Sequence, residues 1–298
     1  MKSLIIGMGI GNLYQSVLEN LNHQIVTVDS NTNLSADYIN FVDAIRDHVN
    51  FDTVHICTPN FTHETIARAV APHARIVFVE KPGLEDSNAW GKLITDFPNT
   101  RFMMVKNNMW RDNIKNMIQQ VSHSKTVKFK WINKNRIPKP GSWFTNKELA
   151  YGGVSRDLMP HLLSLYVAVN QHWQETVITG YEARRQHELK DIISTEYGEV
   201  NLDGVYNVDD VCKIKFIRNG LSWKLESNWA DGREDNRAIE FELHDGTVER
   251  IELGLCPESA YNSMIKDAIA HANNDAWWLQ QNTIDIWIHS MLEKFKCE

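Results

Sequence analysis

Two kinds of hydrophobic patterning divide the chain. As far as about residue 106, short runs are apolar at nearly every position: SLIIG (3–7), QIVTVD (24–29), TVHICT (53–58), RIVFVEK (75–81) and RFMMVK (101–106). Between several of them the apolar positions recur at helical spacing, in GNLYQSVLENL (11–21), HETIARAVA (63–71) and SNAWGKLITDF (87–97). Strands that are apolar throughout need cover on both faces, and strands alternating with helices are the pattern of a parallel sheet. YINF (38–41) fits either a further short strand or a helix running to Asp47.

After a helical stretch, DNIKNMIQQV (112–121), the period changes to two. TVKFKWINK (126–134), TVITGYEARR (176–185), DVCKIKFIRNG (210–220), LSWKLESNWA (221–230) and RAIEFELHDGTVERIEL (237–253) alternate apolar and polar residues. Such alternation predicts an antiparallel sheet with one wet face. RNGLSW and HDGTV carry hairpin-turn dipeptides. One strong helix, GGVSRDLMPHLLSLYVAV (152–169), interrupts the strands, and an aromatic-rich helical tail (258–296) closes the chain. The fold class is therefore α/β. A Rossmann-type doubly wound parallel sheet (1–120) is followed by an α+β domain with a largely antiparallel open sheet (121–298), and the closing helices are free to pack back on the first domain.

At 298 residues the chain can bury a substantial core, and 43% hydrophobic with 23% charged residues is ordinary for a globular protein. A formal charge of -7 argues against a general binder of nucleic acid or of an anionic membrane. No run approaches the ~20 apolar residues of a membrane span, and MKSLIIGMGIGN does not read as a secretory signal. Cys57, Cys212, Cys256 and Cys297 lie far apart and form no C-x-x-C pair. That spacing argues against a zinc ribbon or disulfide framework and fits the reducing cytoplasm, and no metal is expected.

The candidate chemistry begins at IIGMGIGN (5–12), between the first strand and the first helix. Gly7 and Gly9 occupy the first two places of G-x-G-x-x-G, where the chain turns tightly and the backbone approaches a pyrophosphate at a helix N-terminus. Asn12 holds the third place, after Ile10 and Gly11, which predicts looser packing of helix on strand. Asp29 ends the second strand about twenty residues on, where a carboxylate accepts hydrogen bonds from an adenosine ribose. A carboxylate there repels a 2′-phosphate, and Ser30 and Asn31 supply no arginine. NAD is favoured, with NADP the alternative.

Three further motifs follow in order: Thr58-Pro59-Asn60 with His63, Glu80-Lys81-Pro82, and Gly152-Gly153 with Asp157 and His161. Taken singly, Lys81 could be a strand end in water, His63 a helix-start residue, and Asp157/His161 an exposed pair on one helical face. In combination with the glycine turn, the set resembles the family of glucose–fructose oxidoreductase, inositol dehydrogenase and MocA. The resemblance runs from the first strand to about residue 170, is thin across 171–257 and resumes weakly in the closing helices.

The resemblance implies that Lys81 lies beside the nicotinamide and reaches the reacting oxygen, with its proline often cis. It implies that His161 accepts a proton from an alcohol or donates one to a ketone, and that Asp157 binds substrate or tunes the histidine. Gly7, Gly9, Ile10, Gly11, Asn12, Asp29, Thr58, Pro59, Asn60, His63, Glu80 and Lys81 would line the cofactor. Asn108 and Trp143 would join Lys81, Asp157 and His161 around a small, sugar-like substrate. A homodimer or homotetramer assembled through the second domain's sheet is a further implication.

Two departures fall near the expected cleft: Trp110-Arg111, where many members have arginine at the first position, and Pro160 beside His161. Arg136 could grip an acidic group or simply be a solvated loop residue. The activity expected is hydride transfer between NAD(P) and a secondary alcohol or hemiacetal. The rivals are a reductase of the same fold acting on a non-sugar substrate, which Asp157-x-x-x-His161 disfavours, and a dinucleotide-sensing regulator without turnover.

Overall fold

A computed structural model describes residues 1–295. The chain forms two compact units: Met1–Val105 with Glu258–Ser290, and Lys106–Pro257 with the segment from Met291 on. The division at Val105/Lys106 precedes the expected position near residue 120, because the residues after the fifth strand pack with the helices of the second unit.

The first unit opens with β1 (Lys2–Ile6), α1 (Met8–Asn20), β2 (Gln24–Val28), α2 (Phe41–Asp47) and β3 (Phe51–Ile56). It continues through α3 (His63–Val70), β4 (Ala74–Val79), α4 (Ser87–Asp96) and β5 (Arg101–Met104). The strands pair in the order β2-β1-β3-β4-β5, all parallel. Leu4, Ile5, Val54, Val77, Phe78 and Met103 are fully buried, as cover on both faces requires.

Both readings of 38–41 are partly right. Tyr38 makes a single parallel bridge to Val28 at the outer side of β2. The Asn40 side chain then accepts from Val42 N (2.9 Å) and starts α2, so the strand goes no further. With this remnant counted, the strand order becomes that of a dinucleotide fold, and its topological switch lies between β1 and β3.

The second unit comprises α5 (Ile114–Val121), β6 (Ser124–Ile132), α6 (Lys147–Ala150), α7 (Val154–Asp157), α8 (Met159–Val169) and β7 (Val177–Arg184). β8 (Val211–Arg218), β9 (Leu221–Asn228), β10 (Asn236–Leu243) and β11 (Val248–Glu252) complete it. The sheet order is β11-β10-β6-β9-β8-β7, antiparallel except for the pair β6–β9. Asn219-Gly220, both at positive φ, turn β8 into β9.

α8 is apolar on nearly all sides because it is covered on nearly all sides. One flank meets β6 and β9, and another meets α5 and the single turn Asn107–Trp110. Tyr166 of α8 stacks on Phe216 (4.7 Å) and meets Trp223 edge-on (5.1 Å). The opposite face of the sheet, expected to carry a subunit contact, is a lattice of cross-strand ion pairs: Lys130–Glu240, Lys128–Glu242 and Lys213–Glu226.

The chain then returns to the first unit through α9 (Glu258–Ala270) and α10 (Asp275–Leu292). Tyr261 packs edge-on against Tyr14 of α1 (5.5 Å). Cys57, Cys212 and Cys256 are free thiols, and Cys297 lies outside the described residues. No helix among the described residues is long and apolar enough to cross a membrane, and none of their His, Cys, Asp and Glu side chains gather into a metal-binding group.

His55, in the middle of β3, is fully buried, stacks on Phe78 (4.9 Å) and meets Thr53 Oγ1 through Nε2 (3.0 Å). Burial, helped slightly by His23, pulls its pKa down to about 3. Protons therefore favour the unfolded chain. The stability tied to a neutral His55 is fully present above about pH 6.5 and is lost as pH falls toward 3, at up to about 1.4 kcal/mol per pH unit. Urea midpoints measured across that window should fall with acidification. His55→Leu should flatten the part of the slope that this residue contributes, and an unchanged slope would contradict the assignment.

Candidate active site

The glycine turn in the first unit separates cleanly into positions the fold requires and one it does not. Gly7 sits at φ 94°, and a Cβ there would lie 2.7 Å from the carbonyl oxygen of Cys57 at the end of β3. Gly11 faces β1, where a Cβ would come 2.9 Å from Ile5 Cγ2. Gly11 thus provides the close helix–strand packing that the third motif glycine usually permits, and the expectation of looser packing is corrected. Asn12 turns back to donate to Met8 O (2.6 Å).

Gly9 is different. A Cβ there would meet no protein atom within 4 Å, and its φ is not in the left-handed region. Glycine in a helix costs roughly 0.5–1 kcal/mol relative to alanine, so the fold alone gives no reason for it. A bare backbone at the start of α1 is what a pyrophosphate needs to approach the helix N-terminus. Ile10 beside it is 43% exposed, available to a ligand and not part of the core.

Asp29 holds this turn from the second strand. Its Oδ2 accepts from Met8 N (2.6 Å) and its Oδ1 from Asn31 N (2.8 Å). A carboxylate has about four lone-pair sites, so this arrangement orients the group while leaving acceptor capacity for ribose hydroxyls. The residues present fit a dinucleotide.

Thr58, Pro59 and Asn60 follow β3 and lead through a single turn into α3. His63 is fully buried, with Nδ1 2.8 Å from Gly83 O and Nε2 2.8 Å from Thr58 O. Burial lowers its pKa against the pull of the two carbonyls. Its ring ties the protein's own loops together.

Glu80 is likewise turned inward. It accepts from Tyr14 OH (2.6 Å) and from Lys81 N (3.1 Å), and burial with the nearby Glu80 charge raises the Tyr14 hydroxyl well above its ordinary pKa. The Lys81–Pro82 peptide is cis. Beyond it, α10 contributes a residue the sequence did not flag. His289 Nδ1 donates to Asp285 O (2.7 Å), and Nε2 accepts from Leu84 N (3.0 Å). Gly83, at φ 83°, packs so closely on this ring that a Cβ would lie 2.5 Å from Nε2. Two buried histidines thus hold the turn that carries Lys81, one through a carbonyl and one through an amide.

In the second unit the paired glycines answer to Asp209. A Cβ on Gly153 would fall 1.8 Å from Asp209 O, which no side chain tolerates. The buried Asp209 carboxylate accepts from Gly153 N (2.9 Å), Ser155 N (2.8 Å) and Ser155 Oγ (2.9 Å), fixing the entry to α7. Burial raises its pKa against those hydrogen bonds.

The single helix expected over 152–169 is broken. α7 ends at Asp157, and α8 begins at Met159 with Pro160 in its first turn, where a missing N–H costs nothing. Asp157 and His161 therefore belong to two helices and not to one continuous face. Asp157 Oδ2 accepts from Trp229 Nε1 (2.8 Å). His161 stacks on Trp131 (5.3 Å), and its Nδ1 lies 3.0 Å from Asn108 Nδ2.

Asn108 is fully buried and bonded to Arg111, Asn107 and His161. Trp143 forms a one-turn helix with its ring on Phe144 (3.8 Å). Arg136 pairs with Glu196 and Asp235. The tryptophans that touch Asp157 and His161 are Trp229 and Trp131. Strand alternation places Trp131 on the same face as Val127 and Phe129, a signal available in the sequence.

Residues 2–99 match the oxidoreductase family with an NAD-binding Rossmann fold. A protein of Amycolatopsis mediterranei (strain S699), assigned by name as the oxidoreductase subunit of a UDP-kanosamine synthase, is 24% identical over 221 residues. That alignment takes in 69% of this chain, which spans 60% of the relative's length. Among solved structures, GenD2 from gentamicin A biosynthesis, in complex with NAD, superposes with a TM-score of 0.75 at 16% identity, covering 99% of this chain and 93% of that one. Levoglucosan dehydrogenase with NADH and levoglucosan gives 0.69 at 16% identity, covering 98% and 96%. The WlbA dehydrogenase of Thermus thermophilus, with NAD and alpha-ketoglutarate, gives 0.71 at 12%, covering 100% and 96%. At these identities the structures establish the shared fold.

Gly7 and Gly9 should respond oppositely to the same change. Gly7→Ala forces a positive φ and a clash with backbone, and should cost roughly 1–3 kcal/mol of stability. Gly9→Ala should leave stability unchanged or raise it by up to about 1 kcal/mol while weakening NADH binding. Urea unfolding and fluorescence titration on both variants separate these outcomes, and undiminished NADH binding by Gly9→Ala would refute the assignment.

Proposed function

We propose that this chain, a member of the Gfo/Idh/MocA oxidoreductase family through residues 2–99, oxidises or reduces a secondary alcohol or hemiacetal centre of a carbohydrate-like molecule with NAD. The observation that carries the cofactor half is Gly9, a glycine with no structural demand on it at the start of α1. The substrate half is supported by relatives whose names link them to a nucleotide sugar, an aminoglycoside and an anhydrosugar. Bound NAD supplies the nicotinamide ring that takes or gives the hydride.

The chain's own residues account for the rest. The α1 N-terminus favours the pyrophosphate's negative charge. Asp29, already oriented by Met8 N, accepts from the ribose and repels a 2′-phosphate. Lys81, on a turn gripped by His63 and His289, stabilises charge developing on the substrate oxygen. In the second unit Asp157 and His161 are the other two proposed catalytic groups, with Asp157 steadied by Trp229 and His161 by Trp131 and Asn108.

A panel of pyranoses, anhydrosugars, cyclitols and nucleotide-linked sugars, assayed by NADH absorbance, tests the reading directly. Turnover on at least one member is expected. Tight NAD binding with no turnover on any of them would turn the conclusion to a sensing role. Native protein should bind NAD(H) more tightly than NADP(H), and Asp29→Ala should narrow the gap. Equal affinities in the native protein would defeat that assignment. On a substrate the native enzyme uses, Lys81→Ala should leave NAD affinity nearly unaltered and lower kcat on the order of 10²–10³-fold. Native-like kcat would reduce Lys81 to a strand end.

A further inference from the structure

We infer that Arg111 and Asn108 are positioning residues that fix the resting, neutral His161 in the tautomer carrying its proton on Nε2, so that it meets a substrate oxygen as a hydrogen-bond donor. Only this consequence rests on the oxidoreductase reading; the tautomer itself follows from geometry.

An arginine side chain has donors and no acceptor. Arg111 is 9% exposed, and one terminal nitrogen donates to Gly254 O (2.8 Å). With the guanidinium so held, its Nε donates to the side-chain amide of Asn108 at 2.7 Å. The Asn108 atom facing that N–H has to be the oxygen, which removes the usual ambiguity of an amide flip. Both amide hydrogens then have fixed destinations. One points to Asn107 Oδ1 (3.2 Å) and the other to His161 Nδ1 (3.0 Å).

An amide NH2 only donates, so Nδ1 accepts. A neutral imidazole with Nδ1 as acceptor has its hydrogen on Nε2. Rotating the amide to offer its oxygen to Nδ1–H would set the NH2 against Arg111 and leave a buried guanidinium donor without its acceptor. The Trp131 ring stacked on His161 adds a restraint on turning the imidazole over.

In this tautomer Nε2–H suits a substrate carbonyl oxygen, to which it donates a hydrogen bond.

The test reads the ring nitrogens directly and needs neither substrate nor cofactor. Protein labelled with ¹⁵N in its histidines, with His161 assigned by comparison with His161→Gln, gives a long-range ¹H–¹⁵N correlation spectrum near neutral pH. The expected pattern is a protonated Nε2 and an unprotonated Nδ1. Asn108→Asp, whose carboxylate can only accept, should move the hydrogen to Nδ1. Should that variant fail to fold, Arg111→Lys removes the Nε donor and should give a mixture of the two tautomers. A native spectrum with the hydrogen on Nδ1 overturns the inference, as does a pattern that every folded variant shares. Because the spectrum is independent of turnover, its failure leaves the oxidoreductase reading standing. A negative substrate panel leaves the tautomer assignment standing in turn.

Discussion

Backbone carbonyls pressed against glycine govern the functional turns of both units. At Gly7 the neighbour is the Cys57 carbonyl at the end of β3, and at Gly153 it is the Asp209 carbonyl just before β8. In neither place is there room for a Cβ. The absence of one lets the loop after a strand lie flat on another loop's backbone, where Asp29 and Asp209 can reach its N–H groups. These two aspartates do comparable work: each accepts backbone N–H groups at a helix start and so determines the direction in which the helix leaves. What the first helix presents is a bare N-terminus, and what α7 leads into is the Asp157 and His161 segment.

The layout of the sheets was legible because it depends on local pattern. Runs apolar at every position marked the parallel strands, period-two alternation marked the second sheet, and Asn219-Gly220 marked a hairpin. What the sequence concealed depends on partners far along the chain or on the phase of a helix. The phase of α1 turns Gly11 and not residue 12 toward β1, which spacing alone does not reveal. A proline in the first turn of α8 looks like a proline inside one long helix until the break at Leu158 is seen. Asn108 and His161 are 53 positions apart, and His289 and Leu84 are 205 apart. No window of sequence contains either pair.

The same separation hides which motif residues face inward. His63 and Asn108 stand in stretches that attract functional assignment, yet both are buried and hydrogen-bonded internally, His63 to the turn after Lys81 and Asn108 to the His161 ring. Trp131 and Trp229 stand on or beside sheet strands, where the packing explanation for tryptophan is the natural one, and they nonetheless touch His161 and Asp157.

The grip of His289 on Leu84 also bears on the order in which the molecule can be made. The first unit is interrupted in sequence, and its Lys81 turn lacks one of its two histidine clasps until α10 joins it. A chain growing from the ribosome exposes residues 106–257 before His289 has left the exit tunnel. The parallel strands, all within residues 2–104, can pair as they are made, but the Lys81 turn gains its second histidine clasp only when α10 arrives.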